Sequence, residues 1–237
     1  MPVAALVLPG QTCENLEALV RRAGLGDILK ISALLSMGDL HRHSLAPYQE
    51  SPGLFQRRAL ATAVLMEFMA HDNGENPSQA FLIGLFHNLG QIPIARFLKK
   101  LKPNVKAPST DSFPELAKWE RSELGVDHAK VAGKMLEDWE FPEAIYHPIG
   151  WHLHPMLTGR YKRLSCMLHI SRLLSKCLVN PNGDCFRGLE LPVGLLSLCD
   201  VRKADIAAYL PSALAWYRST CEPKRTAPTN AKAHATA

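Results

Sequence analysis

Little in this sequence points to a disulfide-stapled, membrane-spanning or secreted protein. The six cysteines (Cys13, Cys166, Cys177, Cys185, Cys199 and Cys221) are thinly spread over 237 residues and form no CxxC pair. A disulfide framework or a zinc ribbon needs closer spacing, so reduced and mostly buried thiols are expected. No stretch approaches the roughly 18–20 uninterrupted apolar residues of a membrane span. The opening MPVAALVLPG lacks the basic residues and the length of a secretory signal, so a cytoplasmic protein with no membrane partner is expected. Aromatics are sparse at 7%. There is no GxSxG elbow, no Walker loop and no GxGxxG turn, which removes the common hydrolase and nucleotide-loop signatures.

Charge of one sign is also scarce. The formal net charge is +5, and the segment after Thr220 supplies a surplus of two, from Lys224, Arg225 and Lys232 against Glu222. No basic run of five or more occurs, and Lys99, Lys100 and Lys102 suit the C-terminal end of a helix dipole. A nucleic-acid partner is therefore not expected.

What the chain does have is 47% apolar residues, ordinary for a folded globule, arranged almost throughout at helical spacing. Leu54, Phe55, Ala59, Ala63, Met66 and Met69 step by three or four and predict a helix with one buried face. Ser78 is a plausible cap for a second, which is apolar on nearly every side through Phe86-His87-Asn88-Leu89 and therefore central. Gly90 and Pro93 predict a break there, with a further piece from Arg96 to Leu101. The three prolines in 102–114 predict a solvated connector, followed by a helix from Glu115 to Leu124.

Asp127 stands where a cap belongs, ahead of a stripe made by His128, Val131, Ala132, Met135, Leu136 and Trp139. Pro142 suits the first turn of the next helix, which Pro148 should kink or split. Helices are expected from Arg163 to Leu178 and from Arg202 to Arg218, the latter restarting at Pro211. Upstream, 13–37 reads as two short helices joined at Ala23-Gly24-Leu25-Gly26, and 38–53 as loop. Trp139 and Trp151 are expected in the core. The fold class is an all-α bundle of roughly eight to ten helices.

Ten histidines in such a bundle invite a metal reading, because imidazoles and carboxylates converging between helices are how these folds hold metal ions. The candidates are His87, His128, His147, His152 and His154. The spacings of the last three do not put two imidazoles on one face of a straight helix. Taken singly, each is more often a hydrogen-bonded core or surface residue.

The succession GLFHNLGQ, ELGVDHAKVAGKMLEDWEFPEAI and GWHLHP resembles the HDOD domain, a bacterial relative of the HD phosphohydrolases, and ALVRRAGLGDILKISALL resembles the segment before its central helices. The resemblance runs roughly from Asn15 to Leu178 and implies an HD-like multi-helix bundle. On this basis 1–50 is expected to hold the N-terminal helices of a truncated domain, 51–220 the helical core, and 221–237 a disordered tail.

Active HD enzymes assemble metal from His and Asp on several helices. By resemblance, Arg57 falls where an early His would stand, His87 matches the doublet's His and Asn88 replaces its Asp. His128 and His152 fit later ligand positions, Leu153 takes the second of a His pair, and Arg172 lies where a final Asp belongs. An amide bridges cations poorly, and a guanidinium cannot ligate and repels a divalent ion. No resident metal or other cofactor is therefore expected, and without one nothing lowers the pKa of water toward 7 for attack on phosphorus.

Three functions follow. The first is a non-catalytic signalling or regulatory protein that binds a partner protein in bacterial signal transduction, in a setting the resemblance links to cyclic dinucleotides. The second is a residual metal phosphohydrolase using His87, His128 and His152. The third is a nucleotide or nucleic-acid phosphate binder using Arg57, Arg58 and Arg172. The ordinary reading of Arg58 and Arg172 is solvent exposure or pairing with Glu67, Glu123 or Glu137. His87 is expected to bond His128 or a backbone carbonyl. A homodimer would be one way to cover any apolar patch left by a shortened N-terminus.

Overall fold

The first long helix begins where Ser51 accepts a hydrogen bond from the Leu54 amide at 3.2 Å and Pro52 supplies a preset φ. The computed structural model describes residues 26, 30, 32, 33, 45–109, 112–179, 191 and 193–221. Among these the chain is helical, with no strand beyond one isolated bridge between Leu45 and Glu50. Helix α1 (Pro52–Asp72) buries an unbroken run from Ala59 to Met66, and α2 (Pro77–Phe86), capped by Asn76, buries every residue from Ala80 onward. These two pack along each other, and the contact requires a glycine. A Cβ on Gly84 would lie 2.5 Å from the Ala63 Cα.

The turn at 87–90 leads into α3 (Gln91–Leu101). That helix restarts earlier than Arg96, because Pro93 falls in its first turn, where the missing N–H would have had no partner. The stretch 77–101 is long and apolar enough to cross a membrane by composition, but it is mostly buried inside the bundle. Helix α4 (Phe113–Leu124) starts at the Ser112 cap and ends at Gly125 with φ 75°. Helix α5 (His128–Asp138) starts at Asp127, whose carboxylate accepts from the Lys130 amide at 3.0 Å.

Helix α6 (Glu143–Trp151) starts after Pro142, which is its cap and not part of its first turn. Pro148 does not split it. The carbonyl that Pro148 leaves without an intrahelical donor, that of Ala144, accepts instead from Gln79 Nε2 at 3.0 Å. Helix α7 (Lys162–Val179) crosses both α1 and α6, and α8 (Val193–Leu198) leads to α9 (Lys203–Cys221), which packs on α1. No restart occurs at Pro211. Ala207, four residues earlier, is exposed, so its carbonyl can bond water.

Other expectations fail for equally local reasons. The connector after α3 is strapped down: buried Ala107 donates its N–H to the Pro47 carbonyl at 2.7 Å and accepts from Gln49 Nε2 at 2.8 Å. Trp139 is half exposed, because it follows the last turn of α5 as the C-cap. Trp151 is only partly buried and carries Lys130 over its ring. Cys166, Cys177 and Cys199 are buried. The paired helices expected at 13–37, apart from helical positions at Gly26, Lys30, Ser32 and Ala33, and the tail beyond Cys221 lie outside the described residues.

Candidate functional site

Four helices bring a polar cluster into the interior. The turn after α2 carries His87 and Asn88, α5 opens with His128, His152 caps α6, and α7 contributes Arg172. All five side chains are buried. Gly90 makes the approach of the first two elements possible, since a Cβ there would sit 2.1 Å from the His128 carbonyl oxygen.

The imidazoles are oriented by their Nδ1 atoms. His87 donates from Nδ1 to the Gly84 carbonyl at 2.7 Å, and His152 to the Ile149 carbonyl at 2.6 Å. His128 donates from Nδ1 to Glu120 Oε2 at 2.7 Å, and the same oxygen accepts the His128 amide at 2.8 Å. Each ring therefore keeps its Nε2 lone pair available. In a metal centre those lone pairs would bind the ion. Here a guanidinium takes them: Arg172 Nη2 donates to His128 Nε2 at 3.3 Å, and Arg172 Nη1 donates to His152 Nε2. The His152 ring lies 5.9 Å from that of His87 and 5.8 Å from that of His128, centroid to centroid.

Burial, and after it the charge of Arg172, hold His87 and His152 well below the ordinary imidazole value, so both are neutral acceptors at pH 7. Burial also draws Arg172 down to about 9, against the attraction of Glu120, which leaves it a cation at neutral pH. Glu120 is fully buried. Burial works against its ionisation, but bonds from His128 and from the Tyr48 hydroxyl, the latter at 2.6 Å, hold its carboxyl below its usual value. A connected chain results, Tyr48 to Glu120 to His128 to Arg172 to His152, in which one buried carboxylate answers one buried guanidinium.

The HD phosphohydrolases imply a metal at such a centre, and the residues present do not fit one. A guanidinium occupies the Nε2 lone pairs of two of the three imidazoles. The neighbouring Asn88 is an amide, and Glu120 is engaged behind His128. Among the described residues no group of three or more His, Cys, Asp or Glu side chains could hold a metal ion.

The structure brings His87, Asn88, His128, His152 and Arg172 together in the interior and leaves Arg57 apart from them. That side chain is exposed, whereas Arg58 is half-buried, bonds Glu50 at 3.1 Å and lines a cleft beside Arg172. A helix turns about 100° per residue, so adjacent arginines cannot share a face. Arg172 is neither solvated nor paired with Glu67, Glu123 or Glu137, which bond Lys30, Lys102 and Lys134. His87 bonds a backbone carbonyl, the second of its two expected partners. His147 stacks on Trp151 and lies tilted against Tyr161, Leu153 is only partly buried, and His154 is exposed.

Sequence reasoning missed Glu120, Tyr48 and Phe113. Phe113, the first residue of α4, covers the guanidinium with its ring centre 3.9 Å from Arg172 Cζ, and Lys176 Nζ stands 4.5 Å from the same ring. Glu120 sits between Trp119 and Arg121 on a helix of mixed polarity, and no local pattern separates it from a solvated glutamate.

With this geometry in hand, the family comparison is unambiguous. The HDOD domain model matches residues 5–155, well over half of the chain. The chain belongs to the HDOD domain family, a degenerate relative of the HD phosphohydrolases. Its fold is similar to that of the "Putative phosphohydrolase" of Shewanella amazonensis SB2B, with TM-score 0.61 and 15% identity over 91% of this chain and 80% of that one. The MmoQ response regulator of Methylococcus capsulatus aligns with TM-score 0.46 and 19% identity over 67% of this chain and 60% of that one. No curated protein matches the chain.

Proposed function

We propose that this chain is a non-catalytic HDOD protein, acting in the bacterial cytoplasm as a signalling regulator by binding a partner protein. One observation carries the reading: the Arg172 guanidinium stands on the imidazole nitrogens that a phosphohydrolase would give to its metal. A fixed internal cation does electrostatically what a metal would do for the cage, neutralising the lone pairs and joining the helices. It cannot lower the pKa of a bound water or polarise a phosphoryl oxygen through coordination. The centre is thus a structural clasp that ties α4, α5, α6 and α7 together, leaving function to the surface those helices present.

The test is elemental analysis of protein purified without chelator, with a phosphodiesterase assay in added manganese. Metal far below stoichiometric and no turnover are expected, and Asn88→Asp alone should change neither, since Arg172 remains in place. A tightly held equivalent of metal, or hydrolysis by the unaltered chain, would overturn the proposal in favour of a phosphohydrolase.

A further inference from the structure

The surface carries two patches of opposite charge that one chain does not bring together. Between Glu75 and Asp111 the sequence holds five cations, Arg96, Lys99, Lys100, Lys102 and Lys106, and no carboxylate. The other Lys and Arg are matched in number by the 22 Asp and Glu, so α3 and the strap after it account for the whole formal net charge of +5. Lys99 and Lys100 suit the negative end of a helix dipole, but the dipole explains neither Lys106, beyond the helix, nor the apolar side chains set among the charges. Phe97 and Leu101, one turn apart on α3, are 51% and 58% exposed. Lys102 is held by Glu123, whereas Lys99, Lys100 and Lys106 form no ion pair among the described residues.

The opposite patch is the corner between α5 and α6. Residues 137–143 bear four carboxylates, Glu137, Asp138, Glu140 and Glu143, and no cation, and in their midst Trp139 is 50% exposed. Lys134 bonds both Glu137 and Asp138 at 2.9 Å, Arg160 bonds Glu143, and Glu140 has no ion pair among the described residues. Local stability does not explain this choice of residues, because the C-terminal end of a helix repels carboxylates. Glu140, at φ 60°, also fills the left-handed position that glycine ordinarily takes where a helix closes. Its N–H donates to the Glu137 carbonyl at 2.9 Å, and that of Phe141 to the Leu136 carbonyl at 3.0 Å. These two bonds fix the corner, so that Trp139 and its acidic flanks are presented in one shape.

Within one chain the patches stay apart. Helix α3 meets the start of α5 where Gly90 approaches His128, and Lys102 ties its end to α4, whereas the acidic corner lies at the far end of α5, about three turns on. We propose that this chain binds a second copy of itself, the basic end of α3 on one copy, with Phe97 and Leu101, seating on the acidic corner around Trp139 of the other. The complement that the basic end requires, an acidic surface around an exposed aromatic, is present on every copy. An aromatic anchor ringed by charges matches the anatomy of a specific interface, in which apolar contact supplies affinity and charge pairing fixes partner and register. The proposal goes beyond the clasp and is independent of it, since it concerns the outer faces of α3 and α5 and not the interior.

The experiment is sedimentation velocity of the full chain over a range of concentrations, at low and at high salt. A mass rising with concentration above the 26.2 kDa of the monomer is expected, with weaker association at high salt. Lys99→Glu with Lys100→Glu, and separately Asp138→Lys with Glu140→Lys, should each weaken association about tenfold or more, since like charges then face each other. The second pair of changes suits the helix dipole, so the fold is not put at risk by it. Mixed in equal amounts, the two double variants should associate with each other, because the native basic end of one meets the native acidic corner of the other. A folding defect could not produce that rescue. A native chain that stays monomeric at low salt, double variants that associate as the native chain does, or a mixture that fails to recover would overturn the proposal. So would a monomer that sediments with phosphatidylglycerol vesicles through Lys99 and Lys100, which would give the basic end to a membrane.

Discussion

Two regions of this bundle are equally buried and held by opposite physics. Between α1, α2 and α7, side chains such as Leu65, Phe81, Ile83 and Leu168 are almost fully enclosed, and the attraction is non-directional burial at about 25 cal/mol per Å². A few ångströms along α7, Arg172 enters a centre where nearly every contact is a directed hydrogen bond and each group depends on its neighbour. The apolar layer tolerates exchange of one hydrocarbon for another of equal volume. The polar centre tolerates loss of no single member, because an unpaired buried charge is far more costly than a missing methyl.

That contrast can be broken most strongly at Glu120. Glu120→Ala removes the buried carboxylate that attracts Arg172 most strongly, ahead of Asp127, and should lower the free energy of unfolding in urea by about 3–5 kcal/mol. Adding Arg172→Met to that variant should return a large part of the loss, because the uncompensated charge goes too. Simple additivity of the two changes would show that they do not form one electrostatic unit.

In the apolar layer, Leu65→Ala should remove about 2–5 kcal/mol by the same assay, and no second substitution in the polar centre should rescue it. Between the regions lies Gly90. There Gly90→Ala should cost about 1–3 kcal/mol, since its Cβ would meet the His128 carbonyl, and a melting temperature unchanged from the parent would refute the close approach.

Acid should separate the regions further. In the unfolded chain His87 and His152 take up protons near pH 6.5, as ordinary imidazoles do, whereas in the fold they resist protonation to lower pH. The unfolded state then holds more protons across that interval, so stability falls as pH drops below about 6.5, by at most about 1.4 kcal/mol per pH unit for each group. Glu120 adds a loss at still lower pH, as its depressed carboxyl is finally protonated in the fold. His87→Gln should flatten the urea midpoint between pH 6.5 and 5, and an unaltered slope would show that His87 does not titrate as its burial demands. Smallest of all, Ser51→Ala should cost about 1 kcal/mol through the lost cap of α1, with no pH dependence.

Much of the helical pattern was legible from spacing alone. The caps at Ser51, Asn76 and Asp127 and the glycine stop at 125 are local signals, because a side-chain oxygen near the first free amides acts within three residues. The prolines were less legible. Pro148 reads as a helix breaker until Gln79, far away in sequence, is found bonding the carbonyl it strands. Ser78 looked like the cap of α2, but Asn76 performs it, two residues earlier.

In the site, the resemblance singled out His87, Asn88, His128, His152 and Arg172, which the structure brings together, because motif order follows helix positions. It also singled out Arg57, whose side chain is exposed on α1. It was silent on Glu120, whose sequence neighbours are those of a surface helix.

The sequence by itself therefore determined the all-helical class, most of the helix starts and the family, since each is written in local periodicity or in ordered motifs. Only the tertiary structure decided that Arg172 is a buried partner of two imidazoles and not a solvated cation. The burial of a charge depends on what other helices bring to it, here Glu120 through His128, and that neighbour is distant along the chain and adjacent only once the bundle has closed.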